Sequence, residues 1–159
     1  MTDPHVPPSP SLTELAVVAG TTRATVRTAI SAGAVLADDL TWVDALALRV
    51  YATVSSIRFP GEALNGVPAV AQGRAVTGAA RVRRVAELDQ MEVGSQLVVT
   101  RDEIRLLPDL TAVYLYLDQE LGGIEAAQIL PAGRWWYDMR WRMAATRARA
   151  LNDVATPER

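Results

Sequence analysis

One stretch near the start of the chain constrains its fold most strongly: SLTELAVVAGTTRATVRTAISAG, from Ser11 to Gly33. Ser11 and Glu14 have the spacing of a capping box, in which each side chain accepts the backbone N–H of the other residue at a helix start. Gly20 tolerates a positive φ, which suits the residue where a helix stops. The stretch therefore predicts a first helix that begins just after Ser11 and a turn that begins at Gly20.

The residues after this turn predict a second helix. Thr22 is a good N-cap, because its hydroxyl can accept a backbone N–H of the first helical turn. Val26, Ala29 and Ile30 keep the i, i+3, i+4 spacing of one apolar face, and Gly33 follows as the C-terminal stop. Two short helices joined by a tight turn make a helix-turn-helix, and the alternative is an ordinary pair of packed helices in an unrelated domain.

The outer face of the second helix carries side chains that suit duplex DNA. In a recognition helix the N-terminal residues meet base edges in the major groove, where arginine is the commonest reader of guanine. We therefore expect the helix at 22–32 to contact DNA, with Arg23 and Arg27 as candidate base readers. The candidate DNA-binding residues are Thr22, Arg23, Ala24, Arg27 and Thr28.

Leu12 to Gly33, with the continuation AVLADDLTWVDALAL, resembles the winged helix-turn-helix of MerR-type regulators and the related phage excisionases. The resemblance covers roughly the first third of the chain and implies that the second helix is the recognition helix. It departs from the family at Thr21, a turn position that is usually a branched apolar residue. The chain has no cysteine, which excludes a metal- or thiol-sensing member.

The same resemblance implies a small β-hairpin wing after the second helix. Val35 and Leu36 would form one strand, Asp38 and Asp39 the turn, and Leu40 to Trp42 the other strand. This wing is very short, and its tip is acidic where a phosphate-contacting arginine would be expected.

A third helix of about four turns is predicted behind the wing. Thr41 suits its N-cap, with Asp44 at the third helical position. The helix is expected to pack in the core, and the alternative is projection toward a second subunit. Its apolar positions at helical spacing are Val43, Leu46, Ala47, Val50, Val54 and Ile57.

The remainder of the chain predicts a small mixed α/β segment, so the expected fold class is α+β. Residues 1–10 are expected to form a flexible tail, and residues 11–57 the winged helix-turn-helix. Residues 58–78, rich in Gly and Pro, are expected to be a linker or irregular segment. Residues 79–153 would then form an α/β domain for dimerisation or partner binding.

A further helix is predicted from about Val67 or Ala69 to Leu88, although its two interior glycines each cost about 1 kcal/mol relative to alanine. Arg81 and Arg84 share one face of this helix and are candidate phosphate contacts. The alternative is a solvated face that balances the acidic segment that follows.

Two or three strands are predicted next, over Leu97–Thr100, Ile104–Leu107 and Thr111–Leu117. In the last of these, tyrosines alternate with aliphatic residues, which suits a half-buried sheet. The acidic residues here have no histidine, lysine or glycine-rich phosphate loop nearby. We therefore expect no catalytic residue, no metal site and no cofactor, and a protein that is not an enzyme.

Arg134 to Asn152 predicts an amphipathic C-terminal helix after the break at 131–133. It begins with three tryptophans within seven residues, too much apolar area to leave in water, so we expect burial in the core or in a dimer interface. The alternatives are a stacking surface for single-stranded nucleic acid and a site for a protein partner. The candidate dimer-helix residues are Trp135, Trp136, Met139 and Met143.

The charge of the chain, formally −2, is distributed unevenly. Residues 11–58 carry four arginines and four acidic residues, whereas residues 85–125 carry nine acidic residues and two arginines, a net charge of −7. Affinity for duplex DNA depends largely on phosphate neutralisation, so a net neutral DNA-binding domain should bind one half-site weakly. We therefore expect a homodimer, or help from the basic segments at 74–84 and 134–153.

The sequence as a whole predicts a cytoplasmic, nucleoid-associated, sequence-specific DNA-binding protein. Its most ordinary role would be a transcriptional regulator or repressor that binds double-stranded DNA as a homodimer. No apolar run is long enough to span a bilayer, and nothing marks secretion. Two alternatives are a phage or plasmid factor for DNA architecture or recombination, and a protein-interaction module with an acidic surface.

Overall fold

The computed structural model describes residues 9–62, 69–119 and 126–155, with side chains described as far as Arg149. The predicted α+β class is confirmed. In chain order the elements are α1 (Leu12–Ala19), α2 (Arg23–Ser31), α3 (Asp44–Ser56), α4 (Ala69–Glu87), β1 (Gln96–Val99), β2 (Ile104–Leu107), α5 (Leu110–Gln119), β3 (Gln128–Leu130) and α6 (Ala132–Ala155).

The two N-terminal helices and the turn between them form as the sequence predicts. Glu14 Oε2 accepts the N–H of Ser11 at 2.6 Å, and Ser11 Oγ accepts the N–H of Glu14 at 3.2 Å, which completes the capping box of α1. Gly20 ends α1 in the left-handed conformation, with φ of 68°. Thr22 then caps α2, because its hydroxyl accepts the N–H of Thr25 at 3.2 Å.

The predicted wing hairpin is wrong. Residues 35–42, all of them described, contain no strand, and Ala37–Asp39 form one 3₁₀ turn instead. The apolar side chains of this connection pack into the core and do not pair as strands: Val35 is buried there, and Leu40 and Trp42 pack against it. Leu36, next to Val35, is largely exposed.

The predicted third helix is present and lies at the centre of the molecule. It begins at Asp44, and Thr41 is not its N-cap: the Asp44 carboxylate instead accepts the N–H of Thr41 at 2.7 Å. The predicted apolar positions from Leu46 to Val54 are buried, which confirms the core interpretation of this helix. α1, α2, α4 and α6 all pack against α3.

The predicted helix that ends near Leu88 is α4, and it already covers the second half of the segment expected to be a linker. It runs antiparallel to α3, since Asp44 at the start of α3 lies beside Arg83 near the end of α4. A Cβ atom at Gly78 would lie 3.2 Å from Val50 Cγ1 and 3.6 Å from Ile104 Cδ1. Gly78 therefore allows α4 to approach α3 and the sheet closely.

The sheet has the strand order β2–β1–β3, and both pairings are antiparallel. Its inner face belongs to the main core, with Leu97, Val99 and Ile104 buried there. On its outer face, Val98 packs with Val113 and other residues of α5.

The strand predicted over Thr111–Leu117 is wrong, because these residues lie in α5. Asp109 starts this helix: its carboxylate accepts the N–H of Ala112 at 2.7 Å, immediately after Pro108. Val113 and Tyr116 are three apart and face the sheet. The third strand is β3, on the other side of β1.

The C-terminal helix α6 packs against α1, α3 and β1. Its first turn lies close to the loop before β1, where the N–H of Gly133 donates to Ser95 O at 2.9 Å. Buried residues of α6, α4 and the sheet form one continuous core with those of α1 to α3. In the part of the chain that the structure describes, no helix is long and apolar enough to cross a membrane.

Candidate nucleic-acid interface

The exposed side of α2 brings the five predicted DNA-binding residues together. Val26 and Ala29 are fully buried against α1 and α3, and this fixes which side of the helix faces outward. The residues that lie exposed on α2 and at its N-cap are Thr22, Arg23, Ala24, Arg27 and Thr28.

Arg23 and Arg27 supply an uncompensated positive charge on this surface. They are four residues apart on one helix, so their side chains leave the backbone about 6 Å apart. Neither lies within ion-pair distance of a carboxylate among the described residues. α2 itself contains no acidic residue. Both guanidinium groups therefore have their donors available to base edges or phosphates.

The two threonine hydroxyls are already engaged with the helix. Thr22 Oγ1 accepts the N–H of Thr25, and Thr28 Oγ1 donates to Ala24 O at 3.0 Å. Because a hydroxyl has one proton and two lone pairs, Thr28 retains an acceptor and no donor. At a base edge this favours contact with an exocyclic amino group.

An open groove of about 300 Å³ borders the same surface, between α2 and α3. Ser55 Oγ donates to Tyr51 O at 2.6 Å, so this hydroxyl also presents an acceptor to the groove. The groove depends on how two helices cross, which the sequence does not reveal. Its lining residues are Ala24, Thr25, Thr28, Tyr51, Ala52 and Ser55.

The two candidate phosphate contacts on α4 lie exposed, away from α2. Arg81 lies near Glu103, whose pKa is lowered mainly by the hydrogen bond from the Tyr116 hydroxyl and then by Arg105, with a smaller contribution from Arg81. Arg84 has no carboxylate within ion-pair distance among the described side chains. The main contacts of α2 are with α1 and α3, whereas those of α4 are with α3 and β2, so these arginines lie apart from the surface of α2.

The arginine between them, which is not among the predicted site residues, turns inward. Arg83 Nε lies 3.3 Å from Oδ1 of the fully buried Asp44 and donates to Glu87 Oε1 at 2.8 Å. Burial raises the pKa of Asp44, and the N–H of Thr41 and the charge of Arg83 oppose that rise. This cluster joins α3 to α4, with Asp44 buried and Glu87 exposed at its outer end.

A second buried arginine, also unpredicted, organises the loop after α3. Arg74 Nη2 donates to Glu62 Oε2 at 2.8 Å, and Arg74 Nη1 donates to Arg101 O at 3.1 Å. The guanidinium of Arg74 also lies 4.9 Å from the centroid of the Phe59 ring. The hydrogen bonds from Arg74 are the main reason that the pKa of Glu62 is lowered to about 2. The signal available in sequence was one arginine among small residues on the buried face of α4.

The four candidate dimer-helix residues make their contacts within a single chain. Trp136, Met139 and Met143 are buried in the core. Trp135 is half-buried, with the Arg49 guanidinium 4.4 Å from its ring centroid. Their apolar area is therefore already covered without a second subunit. The most exposed aromatic residue of α6 among those described is Trp141, which is 79% exposed.

One arginine of α6 reaches the turn before α2. Arg142 Nη1 lies 3.5 Å from Val18 O, in the last turn of α1. The same atom would lie 3.9 Å from a Cβ at Gly20. The C-terminal helix thus adds a cation beside the predicted DNA-binding surface.

Comparisons with known proteins add no family to this description. No protein-family model matches the chain. No curated protein matches it, and no solved structure does. Among the described residues, no group of three or more potential metal-ligating side chains comes together.

Proposed function

We propose that the protein binds duplex DNA sequence-specifically through α2. The observation that carries this proposal is the pair Arg23 and Arg27, exposed and unpaired on an acid-free helix that follows a tight turn. The resemblance to MerR-type regulators and excisionases supports it at the level of the two helices and the turn. The proposal does not include a wing of two strands.

In this proposal the N-terminal half of α2 lies in the major groove. A guanidinium can donate two parallel hydrogen bonds to O6 and N7 of guanine, which are distinctive acceptors there. Arg23 and Arg27 are the proposed base readers, and the remaining acceptor of Thr28 suits the amino group of adenine or cytosine. Ala24, between them, is small enough to let the helix approach the base edges.

We further propose that the protein acts as a homodimer and is not an enzyme, with transcriptional regulation in the cytoplasm, at the nucleoid, as its role. Residues 11–58 are net neutral, so one copy of this surface would gain little from counterion release. Two copies on a pseudo-palindromic site would double the number of contacts. Light scattering of the protein without DNA should therefore give about twice the chain mass of 17.2 kDa.

A titration of fluorescent random duplex at low salt tests DNA binding directly. We expect saturable binding that weakens steeply as salt rises, because phosphate contacts release counterions. Selection from a random duplex library should then enrich one motif. A flat titration at low salt would overturn the proposal and favour the alternative of an acidic protein-interaction module.

A further inference from the structure

Arg142, near the C-terminal end of the chain, lies beside the turn between the first two helices. It lies 124 residues after Val18, yet its guanidinium reaches the carbonyl of that residue at 3.5 Å. It also lies beside Gly20, the first residue of the turn between α1 and α2. α6 therefore delivers a positive charge to the end of α2 that carries Thr22 and Arg23.

The distance from this charge to the proposed base readers is short. Arg23 is three residues after Gly20, and with 3.8 Å between successive Cα atoms their Cα atoms are at most about 11 Å apart. The major groove is about 12 Å wide, with phosphates along both edges. If Arg23 reads bases in the groove, the turn at Gly20 lies within about one groove width of Arg23, and a phosphate backbone runs along each edge of the groove.

The surroundings of Arg142 leave its charge mostly uncompensated. Residues 134–149 of α6 carry five arginines and one carboxylate, that of Asp138. None of these arginines lies within ion-pair distance of a carboxylate among the described side chains. Arg49 lies close by: its pKa is lowered by burial and then by the charge of Arg142, and the carboxylate of Asp138 opposes that lowering. One carboxylate thus lies near two neighbouring cations, and a second anion would stabilise the pair further.

We propose that Arg142 binds a backbone phosphate of the duplex read by α2, so that the C-terminal helix supplies affinity that the net neutral N-terminal residues lack. This inference rests on the proposed function. The guanidinium suits the role because its planar fork can make two parallel hydrogen bonds to phosphate oxygens. The contact carries no base information and strengthens binding to all sequences alike.

The salt dependence of binding tests this role in the full-length chain. Removing one phosphate contact reduces the slope of log K against log salt by about 0.9 in magnitude. For Arg142→Gln we therefore expect weaker binding at low salt. A rise from 50 to 200 mM salt should weaken that variant about 3.5-fold less than the parent. The loss should be equal on the selected motif and on random duplex.

Two further variants separate charge from structure. Arg142→Lys keeps the cation and should retain the parent slope. Arg134→Gln removes an exposed arginine of the same helix, eight residues earlier and about 12 Å along its axis, and should leave the slope unchanged. Thermal unfolding of each variant, measured without DNA, identifies any change in the fold.

Three outcomes would overturn the inference. The first is a parent slope for Arg142→Gln, and the second is an equal loss for Arg142→Lys and Arg142→Gln, which would indicate a structural role at the end of α1. The third is a slope change for Arg134→Gln as large as that for Arg142→Gln. Absence of salt-dependent binding by the parent would instead overturn the proposed function itself.

Discussion

The guanidinium of Arg83 lies 3.3 Å from the buried carboxylate of Asp44 and fastens the C-terminal part of α4 to the first turn of α3. Asp44 is fully buried, while the Arg83 side chain is 17% exposed and also binds Glu87. Asp44 Oδ1 has no hydrogen-bond partner, so it depends on the nearby charge of Arg83. Asp44 therefore depends on Arg83 for its counter-charge, whereas Arg83 has a second carboxylate, Glu87, and partial contact with water.

Removing the cation should therefore cost more than neutralising the anion. Arg83→Met leaves a buried carboxylate without its counter-charge, and we expect a loss of about 3 kcal/mol in the free energy of unfolding. Asp44→Asn keeps an acceptor for the N–H of Thr41 and removes the charge that burial disfavours, so its loss should be smaller. Urea unfolding of both single variants and the double variant measures this. A double variant as unstable as the sum of the two single losses would contradict the expected coupling.

Glu62, in the loop after α3, should make the free energy of unfolding depend on pH in the acidic range. Its pKa in the folded protein is about 2, against an ordinary value of 4.5. A lowered pKa contributes stability that is fully present above the ordinary value and is lost as the pH falls toward about 2. The parent should therefore exceed Glu62→Gln in stability at pH 6, and the difference should shrink between about pH 4.5 and 2. Urea unfolding at several pH values would show this, and a constant difference would argue against it.

The two interior glycines of α4 should respond oppositely to alanine. Nothing lies within 4 Å of a Cβ at Gly73, so Gly73→Ala should stabilise the protein by up to about 1 kcal/mol through helix propensity. A Cβ at Gly78 would crowd Val50 Cγ1 at 3.2 Å, and overpacking of about 1–3 kcal/mol should cancel or exceed the same gain. Thermal unfolding compares the pair under one condition. Equal gains would mean that α3 and α4 are not packed as closely as the structure has them.

Two tryptophans of α6 should differ sharply in their contribution to stability. Trp136 is 7% exposed and Trp141 is 79% exposed. Trp136→Ala should destabilise the fold by about 3–5 kcal/mol, as expected for a large aromatic residue removed from a core. Trp141→Ala should change stability by less than about 0.5 kcal/mol. Thermal unfolding of both variants measures these losses. If Trp141→Ala destabilised the protein as much as Trp136→Ala does, and the melting temperature of the parent rose with protein concentration, Trp141 would lie in an interface between copies.

The proposed base readers should affect specificity as well as affinity. Arg23→Ala or Arg27→Ala should each cost about 1–3 kcal/mol on the selected motif and relax the preference at one position. Binding to random duplex should change much less. Arg134→Gln serves as the matched loss of one arginine elsewhere on the surface. If both α2 variants bound every sequence as the parent does, the assignment of α2 as recognition helix would be wrong.

Local signals predicted the N-terminal elements well. Ser11, Glu14, Gly20 and Thr22 act within three or four residues of themselves, so their sequence spacing nearly determines their geometry. The apolar spacing from Leu46 to Val54 likewise predicted a buried helix. The wing was predicted from resemblance, and it failed because the connection is occupied by residues that the core requires.

Other features depended on tertiary packing. Residues 111–117 fit a strand by alternation, yet Val113 and Tyr116 also fit a helix, and the Asp109 cap after Pro108 favoured the helix. Nothing local indicates that Arg83, and not its neighbours Arg81 or Arg84, meets Asp44. The approach of Arg142 to Val18 spans 124 residues, beyond the range of any periodic pattern.

The shared core has a consequence for how the proposed DNA-binding helices could be inherited or engineered. Met139 and Met143 of α6 lie in the same core as Leu15 of α1 and Leu46 of α3. A fragment that ended after α3 would expose that apolar surface to water, so α1 to α3 do not form an independent folding unit. Recombination that transplanted α1 to α3 into another scaffold would have to carry, or replace, the elements that cover this core, α4 and α6 among them.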